Sequence, residues 1–246
     1  MLGQIEKRLA LRAGESSYAT STFKKILPSM VREDLHPWNV SPREAFVIQH
    51  ELRKRVIRKG RIGSPRLVGG VDASYLEDGT IVAKAIVVSF PELELLDVEK
   101  SRLKVKFPYI PGLLTFREGP AIIEAVLSLT RSPDVVIFDG HGVAHPRSMG
   151  IASHVGVLLD IPTIGCAKKN LFGMYAPPAR EKGAFSEILD KTGKRIGVAL
   201  RTRSRVKPVF VSQGHRIRLA DAINIVLACC PRYRIPEPLR LAHSIV

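Results

Sequence analysis

The chain has 246 residues, of which 45% are hydrophobic, and its formal net charge is +15 at pH 7. This hydrophobic content excludes a disordered chain, and the length suffices for a globular domain with a sizeable core. The excess of basic residues favours a polyanionic partner, most commonly nucleic acid, over a merely soluble basic protein. The three cysteines show neither disulfide nor zinc spacing, which predicts a reducing compartment, the cytoplasm. No apolar run reaches the roughly 20 residues of a membrane helix, so we expect no membrane partner.

Two regions are predicted along the chain. Residues 1–36 are expected to form an N-terminal extension of unknown role, and residues 37–246 the main domain. The main domain opens with a capping box and an N-terminal proline, Ser41-Pro42-Arg43-Glu44. Apolar residues then recur every four positions at Ile48, Leu52 and Val56, which predicts an amphipathic helix.

Three strands are predicted next, at Leu67–Ala73, Ile81–Phe90 and Leu93–Phe107. Their turn-like connections indicate an antiparallel meander. The first strand carries Asp72 inside an apolar run. A carboxylate in such a place needs a cation, a proton or hydrogen bonds.

A stiff loop and a helix follow the meander. The loop, Pro108-Tyr109-Ile110-Pro111-Gly112, presents Tyr109 and Ile110 between two prolines, which suits binding better than a mere connection. Without further information, however, Tyr109 could equally be a packed loop residue. Thr115–Glu118 has the pattern of a second capping box and predicts a helix through Leu129 with Pro120 in its first turn. Glu118 then either satisfies backbone donors or belongs to a site.

The central part of the chain predicts a βαβ unit. An apolar run, Val135–Phe138, ends on Asp139, and the glycines of Gly140-His141-Gly142 allow a sharp turn and the close approach of another molecule. After His145 and Arg147, a helix is expected to about Leu159, and a strand over Ile161–Ala167 then delivers Lys168. Ligands of such sheets bind beyond the carboxyl ends of the strands.

The C-terminal part is strongly basic. Nine Lys or Arg residues and no acid lie between Lys191 and Arg218, which predicts a surface that follows phosphates. Strands are expected at Ile196–Leu200 and Val209–Val211, followed by a helix over Leu219–Cys229. The remainder, from Tyr233 to Leu241, is predicted to be a tail broken by prolines, with His243 near its end.

These elements predict an α/β fold, a mixed central sheet flanked by helices on both faces. The layout matches the ribonuclease H-like architecture, in which aspartates of the first and fourth strands lie side by side. Those residues are Asp72 and Asp139 here. Together with Glu118 they offer the oxygen ligands that Mg²⁺ prefers, and paired divalent metals support phosphodiester hydrolysis.

Seven short segments resemble motifs of the endonuclease V family, in the family's order: VDASY (71–75), PYIPG (108–112), FRE (116–118), DGHGVAHPR (139–147), GIASHVG (150–156), AKKNLFG (167–173) and RIPEPLRLAH (234–243). The resemblance covers the chain from about Trp38 and makes 37–246 a nuclease domain. It implies a Mg²⁺-dependent endonuclease, with Mn²⁺ as a substitute, that acts on deoxyinosine in DNA. It further implies cleavage one nucleotide beyond the lesion on its 3′ side, leaving 5′-phosphate ends and initiating DNA repair without an obligate protein partner.

The resemblance also implies roles for individual residues. The metal ligands would be Asp72, Asp139, Glu118 and His243. The catalytic residues would be Asp72, Glu118, Asp139, Lys168 and His145. Lys168 would lie near the scissile phosphate, and His145 would contact either a metal ligand or a phosphate. Tyr109 would begin a loop that wedges into the helix where the damaged base is flipped out. The substrate-binding residues would be Tyr109, Ile110, Pro111, Gly112, Leu114, Gly140 and Ile151. The role of His141 stays open.

Other functions remain to be distinguished. The chain could be an inosine-specific endoribonuclease, because the family includes members that prefer DNA and others that prefer RNA. A non-catalytic nucleic-acid-binding module would need a lost ligand, whereas all four ligand positions are filled. A relative of the C-terminal half of excinuclease C is disfavoured by the PYIPG loop.

Overall fold

The structure is a computed structural model that describes residues 35–60 and 62–245. Most of the predicted N-terminal extension, residues 1–34, lies outside these ranges. Leu35 packs against the core of the domain, and His36 is buried. None of the described helices is both long and apolar enough to cross a membrane.

Five helices and eight strands make up the described fold. The helices are α1 (Pro42–Leu52, followed by a 3₁₀ turn at Arg53–Arg55), α2 (Leu114–Ser128), α3 (Ile151–Leu159), α4 (Leu219–Ala228) and α5 (Glu237–Ser244). The strands are β1 (Leu67–Tyr75), β2 (Thr80–Ser89), β3 (Leu95–Lys104), β4 (Val135–Phe138), β5 (Thr163–Ala167), β6 (Phe185–Leu189), β7 (Arg195–Leu200) and β8 (Val209–His215).

The strands form one mixed sheet in the order β3-β2-β1-β4-β5-β8-β7-β6. The pairs β1–β4 and β4–β5 are parallel, and all other pairs are antiparallel. The first meander and the ribonuclease H-like layout are therefore confirmed. The predicted βαβ unit is confirmed by the parallel pair β4–β5, whereas the strands after it, β6, β7 and β8, pair antiparallel. The connections β6–β7 and β7–β8 are short and contain no helix, and a parallel crossover needs a dozen or more residues.

Helices cover both faces of the sheet, as predicted. On one face, α4 and α5 pack over the residues Val68, Ile86, Ile137, Ile164 and Val211. On the other face, α2 and α3 pack over the residues Val71, Ala83, Ala85, Val136 and Phe138. Alternate residues of a strand point to opposite faces, so β1 and β4 contribute to both cores.

Two helix boundaries differ from the expectation. The capping box at Ser41 is confirmed, but the one at Thr115 is wrong. Helix α2 has Leu113 as its N-cap without a side-chain hydrogen bond, so Thr115 and Pro120 lie within the helix. The predicted proline-broken tail is instead α5, with Pro238 in its first turn. A proline there opens a helix, because the first-turn N–H groups have no acceptor within the helix.

The sheet has one edge on which its functional candidates converge. Strands β4 and β5 end at this edge, and β8 begins beside the end of β5, with Phe210 opposite Ala167. We call it the carboxyl edge. The register pairs Val71 with Phe138, so the next residues, Asp72 and Asp139, stand at the same level of neighbouring strands.

Candidate active site

Asp72 and Asp139 form the centre of the carboxyl edge. The Asp139 N–H donates to the Val71 carbonyl across 3.2 Å, which holds the two chains together at this level. Neighbouring strands lie about 4.8 Å apart, and residues at equal level in a parallel pair share one face. The two carboxylates therefore stand side by side, as the fold prediction required.

Each aspartate has a basic partner. The Lys168 ammonium lies 2.5 Å from Asp139 Oδ2, and His243 Nδ1 lies 2.9 Å from Asp72 Oδ2. His243 sits in the last turn of α5 and is 70% exposed, while Asp72 is only 11% exposed. The residue is thus held on a packed helix beside the aspartate and does not belong to a loose tail.

Glu118 reaches the same region from α2. Its side chain is buried, and the Tyr75 hydroxyl donates to its Oε1 at 2.7 Å. Burial, together with the charges of Asp72 and Asp139, raises the pKa of Glu118 to about 7, although Tyr75 and Arg117 oppose the shift. Of the two roles considered for Glu118, the arrangement supports the one in a site, because its carboxylate bonds to Tyr75 and lies near two other acids.

A divalent cation suits this donor set. Within residues 35–60 and 62–245, no three His, Cys, Asp or Glu side chains are placed to hold a metal together. Lys168 and His243 each contact one aspartate oxygen in this arrangement. Mg²⁺ usually takes one or two carboxylates plus waters and substrate phosphates, so Asp72 and Asp139 suffice. Burial first, and then the charges of Asp72 and Asp139, raise the pKa of Glu118, which is consistent with three carboxyl groups lying close together here.

A cavity of about 170 Å³ opens beside the aspartates. All seven predicted substrate-binding residues line it: Tyr109, Ile110, Pro111, Gly112, Leu114, Gly140 and Ile151. Gly140 follows Asp139 directly, so the cavity adjoins the carboxylates. A Cβ atom at Gly140 would lie 2.6 Å from Ile151 Cγ2, which explains the glycine at this position. Tyr109 is 69% exposed near the start of the loop.

The Gly112 carbonyl is the anchor of this cavity. It accepts hydrogen bonds from Gln49 Nε2 at 2.9 Å, Arg147 Nη2 at 2.8 Å and His145 Nε2 at 3.0 Å. Gly112 has φ +81°, a conformation that favours glycine. Sequence reasoning missed Gln49, whose signal was a polar residue beside the apolar positions of α1. Three donors from α1 and the segment after β4 thus fix the loop that carries Tyr109.

His145 is buried and neutral. The Arg147 N–H donates to its Nδ1, so Nε2 carries the hydrogen that Gly112 accepts. Burial and the nearby Arg147 charge lower the pKa of His145 to about 3. His145 therefore serves here to hold Gly112 and Arg147. His141 also lines the cavity, and burial lowers its pKa to about 4 despite a hydrogen bond to the Lys169 backbone.

Arg234 was not foreseen as part of the site. Its guanidinium donates to the carbonyls of Lys168 at 2.7 Å, Lys207 at 2.8 Å and Pro208 at 2.9 Å. It is the first residue of the segment RIPEPLRLAH, but its role could not be read from that segment because its acceptors lie in other segments. It ties the end of β5, which carries Lys168, to the start of β8.

The predicted phosphate-following surface is divided by the fold. Lys191 and Lys194 lie in the β6–β7 turn, away from the carboxyl edge, and Arg216 and Arg218 pair with acids, Asp160 and Asp221 respectively. The Arg201 guanidinium donates hydrogen bonds to three backbone carbonyls, one of them in the β7–β8 loop, and so stabilises this loop. Of the residues in this run, the exposed basic ones at the carboxyl edge are in the β7–β8 loop: Arg203, Arg205 and Lys207.

Comparisons with known proteins agree with this geometry. The sequence model of the family described as Endonuclease V matches residues 50–244. The Endonuclease V of Roseiflexus sp. (strain RS-1) is 49% identical over 209 residues, which are 85% of this chain and 93% of that protein. The crystal structure of the Streptomyces avermitilis Endonuclease V is 43% identical with a TM-score of 0.80, covering 84% of this chain and 92% of that one.

One similar structure contains nucleic acid. The Ciona intestinalis Endonuclease V, crystallised with a 24mer DNA containing an inosine followed by a ribo-adenosine, is 29% identical with a TM-score of 0.70. The match covers 82% of this chain and 94% of the Ciona chain. The family match spans most of the chain and includes the carboxylates, the cavity and the loop between them. This chain belongs to the endonuclease V family of nucleases.

Proposed function

We propose that this protein is a metal-dependent endonuclease that recognises deoxyinosine in DNA and cuts one nucleotide beyond it on the 3′ side, initiating repair. The observation that carries the proposal is the direct connection of Asp139 to Gly140. The first belongs to the paired carboxylates and the second lines the cavity. A base bound in the cavity therefore brings a nearby phosphodiester to the carboxylates. The inosine-containing DNA of the Ciona relative supports this substrate.

The carboxylates provide the metal site of this proposal. Asp72 and Asp139 are the principal ligands of Mg²⁺, for which Mn²⁺ can substitute, and Glu118 and His243 complete the site. When bound, the metal supplies a more acidic water and neutralises phosphate charge. Burial raises the pKa of Glu118 to about 7, and a cation held at this site would favour the ionised form of its carboxyl.

Lys168 has a separate role. Its ammonium contacts Asp139 in the present arrangement. With a metal held by Asp139, this ammonium would be available to donate to the scissile phosphate or the attacking water. Arg234 keeps the backbone of Lys168 in place while its ammonium changes from Asp139 to the substrate or the water.

The loop and the glycines select the substrate. Extruding a base costs a few kcal/mol of unstacking, and an inserted aromatic ring compensates for part of it. Tyr109 is that ring, because it is exposed on a loop held by Gln49, Arg147 and His145. Backbone groups at Gly112 and Gly140 can approach the hypoxanthine edge closely, because neither residue has a side chain.

A strand-cleavage assay tests the proposal. Labelled DNA strands with and without deoxyinosine, their duplexes and the matching inosine-containing RNA are incubated with Mg²⁺, Mn²⁺ or EDTA. We expect one product from inosine-containing DNA, cut one nucleotide beyond the lesion, and none in EDTA. Asp139→Asn should lower the rate by about a hundredfold or more while binding persists, and Asp190→Asn, in the β6–β7 turn, serves as the control. Preferential cutting of the RNA would replace the substrate with inosine-containing RNA, and near wild-type cutting by Asp139→Asn would refute the metal assignment.

A further inference from the structure

A second cavity adjoins the same loop as the first one, which we call the base cavity because it receives the base in the proposed function. Its volume is about 410 Å³, compared with about 170 Å³ for the base cavity. Its apolar walls come from Trp38, Phe107 and Phe116, with Ile81 and Ala121 beneath them. A Cβ atom at Gly119 would lie 2.8 Å from the Trp38 ring, so the glycine lets the indole pack against α2. The cavity has the size and the aromatic lining of a small-molecule site.

The polar groups around this cavity are cationic. Lys104, Lys106 and Arg117 line it, and no Asp or Glu does among the described residues. The Lys104 ammonium is bound to Asp78, and Arg117 donates to the Phe107 carbonyl and the Tyr75 hydroxyl. Lys106 is exposed and makes no ion pair within the described part of the chain. It is therefore the cation best placed to meet an anion at the mouth of the cavity.

Aromatic walls and a cationic mouth suit a ligand with a flat ring and an anionic group. A nucleobase stacks on aromatic side chains whatever its sequence, and a phosphate takes a charge-assisted hydrogen bond from a lysine. The amide of Asn39 at the rim can bond to ring nitrogens and carbonyls. We propose that this cavity binds a nucleotide, with its base against Trp38 and its phosphate on Lys106.

The loop connects this nucleotide site to the proposed base site. Phe107 and Pro108 line the nucleotide site, whereas the next residues, Tyr109 to Gly112, line the base cavity. Arg117 holds the Phe107 carbonyl at 2.8 Å and is followed by Glu118. The site itself requires neither a metal nor inosine, so it goes beyond the proposed cleavage function. The nucleotide can be a free mononucleotide or part of a bound strand, and these two sources share the same chemistry.

The chain contains a built-in reporter for this site. Trp38 is its single tryptophan, so intrinsic fluorescence monitors one wall of the cavity. The full chain in EDTA is titrated with 5′-AMP, adenosine and inorganic phosphate. We expect a saturable change in emission with AMP. Adenosine should bind about tenfold more weakly because it lacks the phosphate that hydrogen-bonds to Lys106, and phosphate alone should cause no change.

Two charge-reversal variants separate the site from general electrostatics. Lys106→Glu should weaken AMP binding by about tenfold or more, because it replaces attraction by repulsion at the mouth. Lys191→Glu makes the same change of charge in the β6–β7 turn, at the end of β6 and β7 that is away from the carboxyl edge. It should change the affinity for AMP by less than about twofold at moderate salt. Asp139→Asn should leave AMP binding unchanged, so a failure of the cleavage proposal would be distinguishable from a failure here.

A short inosine-free oligonucleotide distinguishes the two sources. If the oligonucleotide changes Trp38 emission with a higher affinity than AMP does, and this affinity is lower for Lys106→Glu, the site holds a nucleotide of a bound strand. If AMP binds and the oligonucleotide neither binds nor competes, the site holds a free nucleotide. The proposal is overturned if neither probe gives a saturable change, or if Lys106→Glu and Lys191→Glu weaken binding equally.

Discussion

Replacement of Arg234 by alanine tests how the site holds Lys168. The guanidinium donates to three backbone carbonyls, at 2.7, 2.8 and 2.9 Å, that belong to Lys168, Lys207 and Pro208. A hydrogen bond contributes about 1 kcal/mol net, so Arg234→Ala should lower the free energy of unfolding by about 2–3 kcal/mol, allowing for water at this half-buried position. Urea denaturation measures this loss directly.

The same substitution should slow cleavage more than it weakens binding. Loss of the Arg234 bond frees the backbone of Lys168 at the end of β5, and a displacement of about 1 Å in a catalytic group can cost about a hundredfold in rate. We therefore expect kcat to fall by about tenfold to a hundredfold, with a small change in KM. The assay is cleavage of a deoxyinosine strand at saturating substrate, under conditions where the variant is fully folded.

Two further variants give the controls. Arg234→Lys keeps the charge but replaces a planar fork by a single ammonium, which cannot bond three carbonyls in this arrangement, so it should recover only part of the stability and rate. Arg232→Ala removes an exposed arginine two residues away and should change neither. Equal losses of stability in Arg234→Ala and Arg232→Ala, or wild-type kcat in Arg234→Lys, would refute the positioning role.

Three other substitutions or conditions give further expected outcomes. Tyr109→Ala should slow cleavage of duplexes more than of single strands, where no stacking is broken, and equal losses would leave only a packing role. Gly142→Ala places a Cβ atom 1.9 Å from a backbone oxygen of β8 and should cost about 3 kcal/mol or more in urea denaturation, whereas Gly63→Ala, with open space around it, should cost little. Burial lowers the pKa values of His141 and His145 to about 4 and about 3, so below pH 6.5 the unfolded chain binds more protons than the folded one. Each of these two histidines should therefore contribute a fall of about 2 kcal/mol in the free energy of unfolding in EDTA between pH 7.5 and pH 5, and His145→Gln should reduce the measured fall by about that amount; an unchanged fall would show that His145 does not contribute.

The elements that were predicted correctly have strong local signals. Val135–Phe138 is a strand because four apolar residues, three of them β-branched, are followed by a glycine turn. The start of α1 follows from the capping box at Ser41. Helix α5 was missed because its prolines were taken as breakers, although a proline in the first turn is compatible with a helix. Strand β6, an edge strand of the sheet, was missed because Phe185–Leu189 neither alternates polar and apolar residues nor forms a continuous apolar run, so neither strand pattern is present.

The sequence by itself determined the mixed sheet, the adjacent aspartates and the residues around the base cavity, through apolar periodicity and through motifs that resemble those of one family. Only the tertiary structure decided which side chains contact the aspartates, the loop and the lysine of the site. His243 meets Asp72 across 171 positions of the chain, Gln49 meets Gly112 across 63, and Arg234 meets Lys168 across 66. It also divided a continuous basic run between two ends of the strands. Local patterns record the conformation of neighbouring residues, whereas these contacts depend on how separate helices and strands pack, which no short segment encodes.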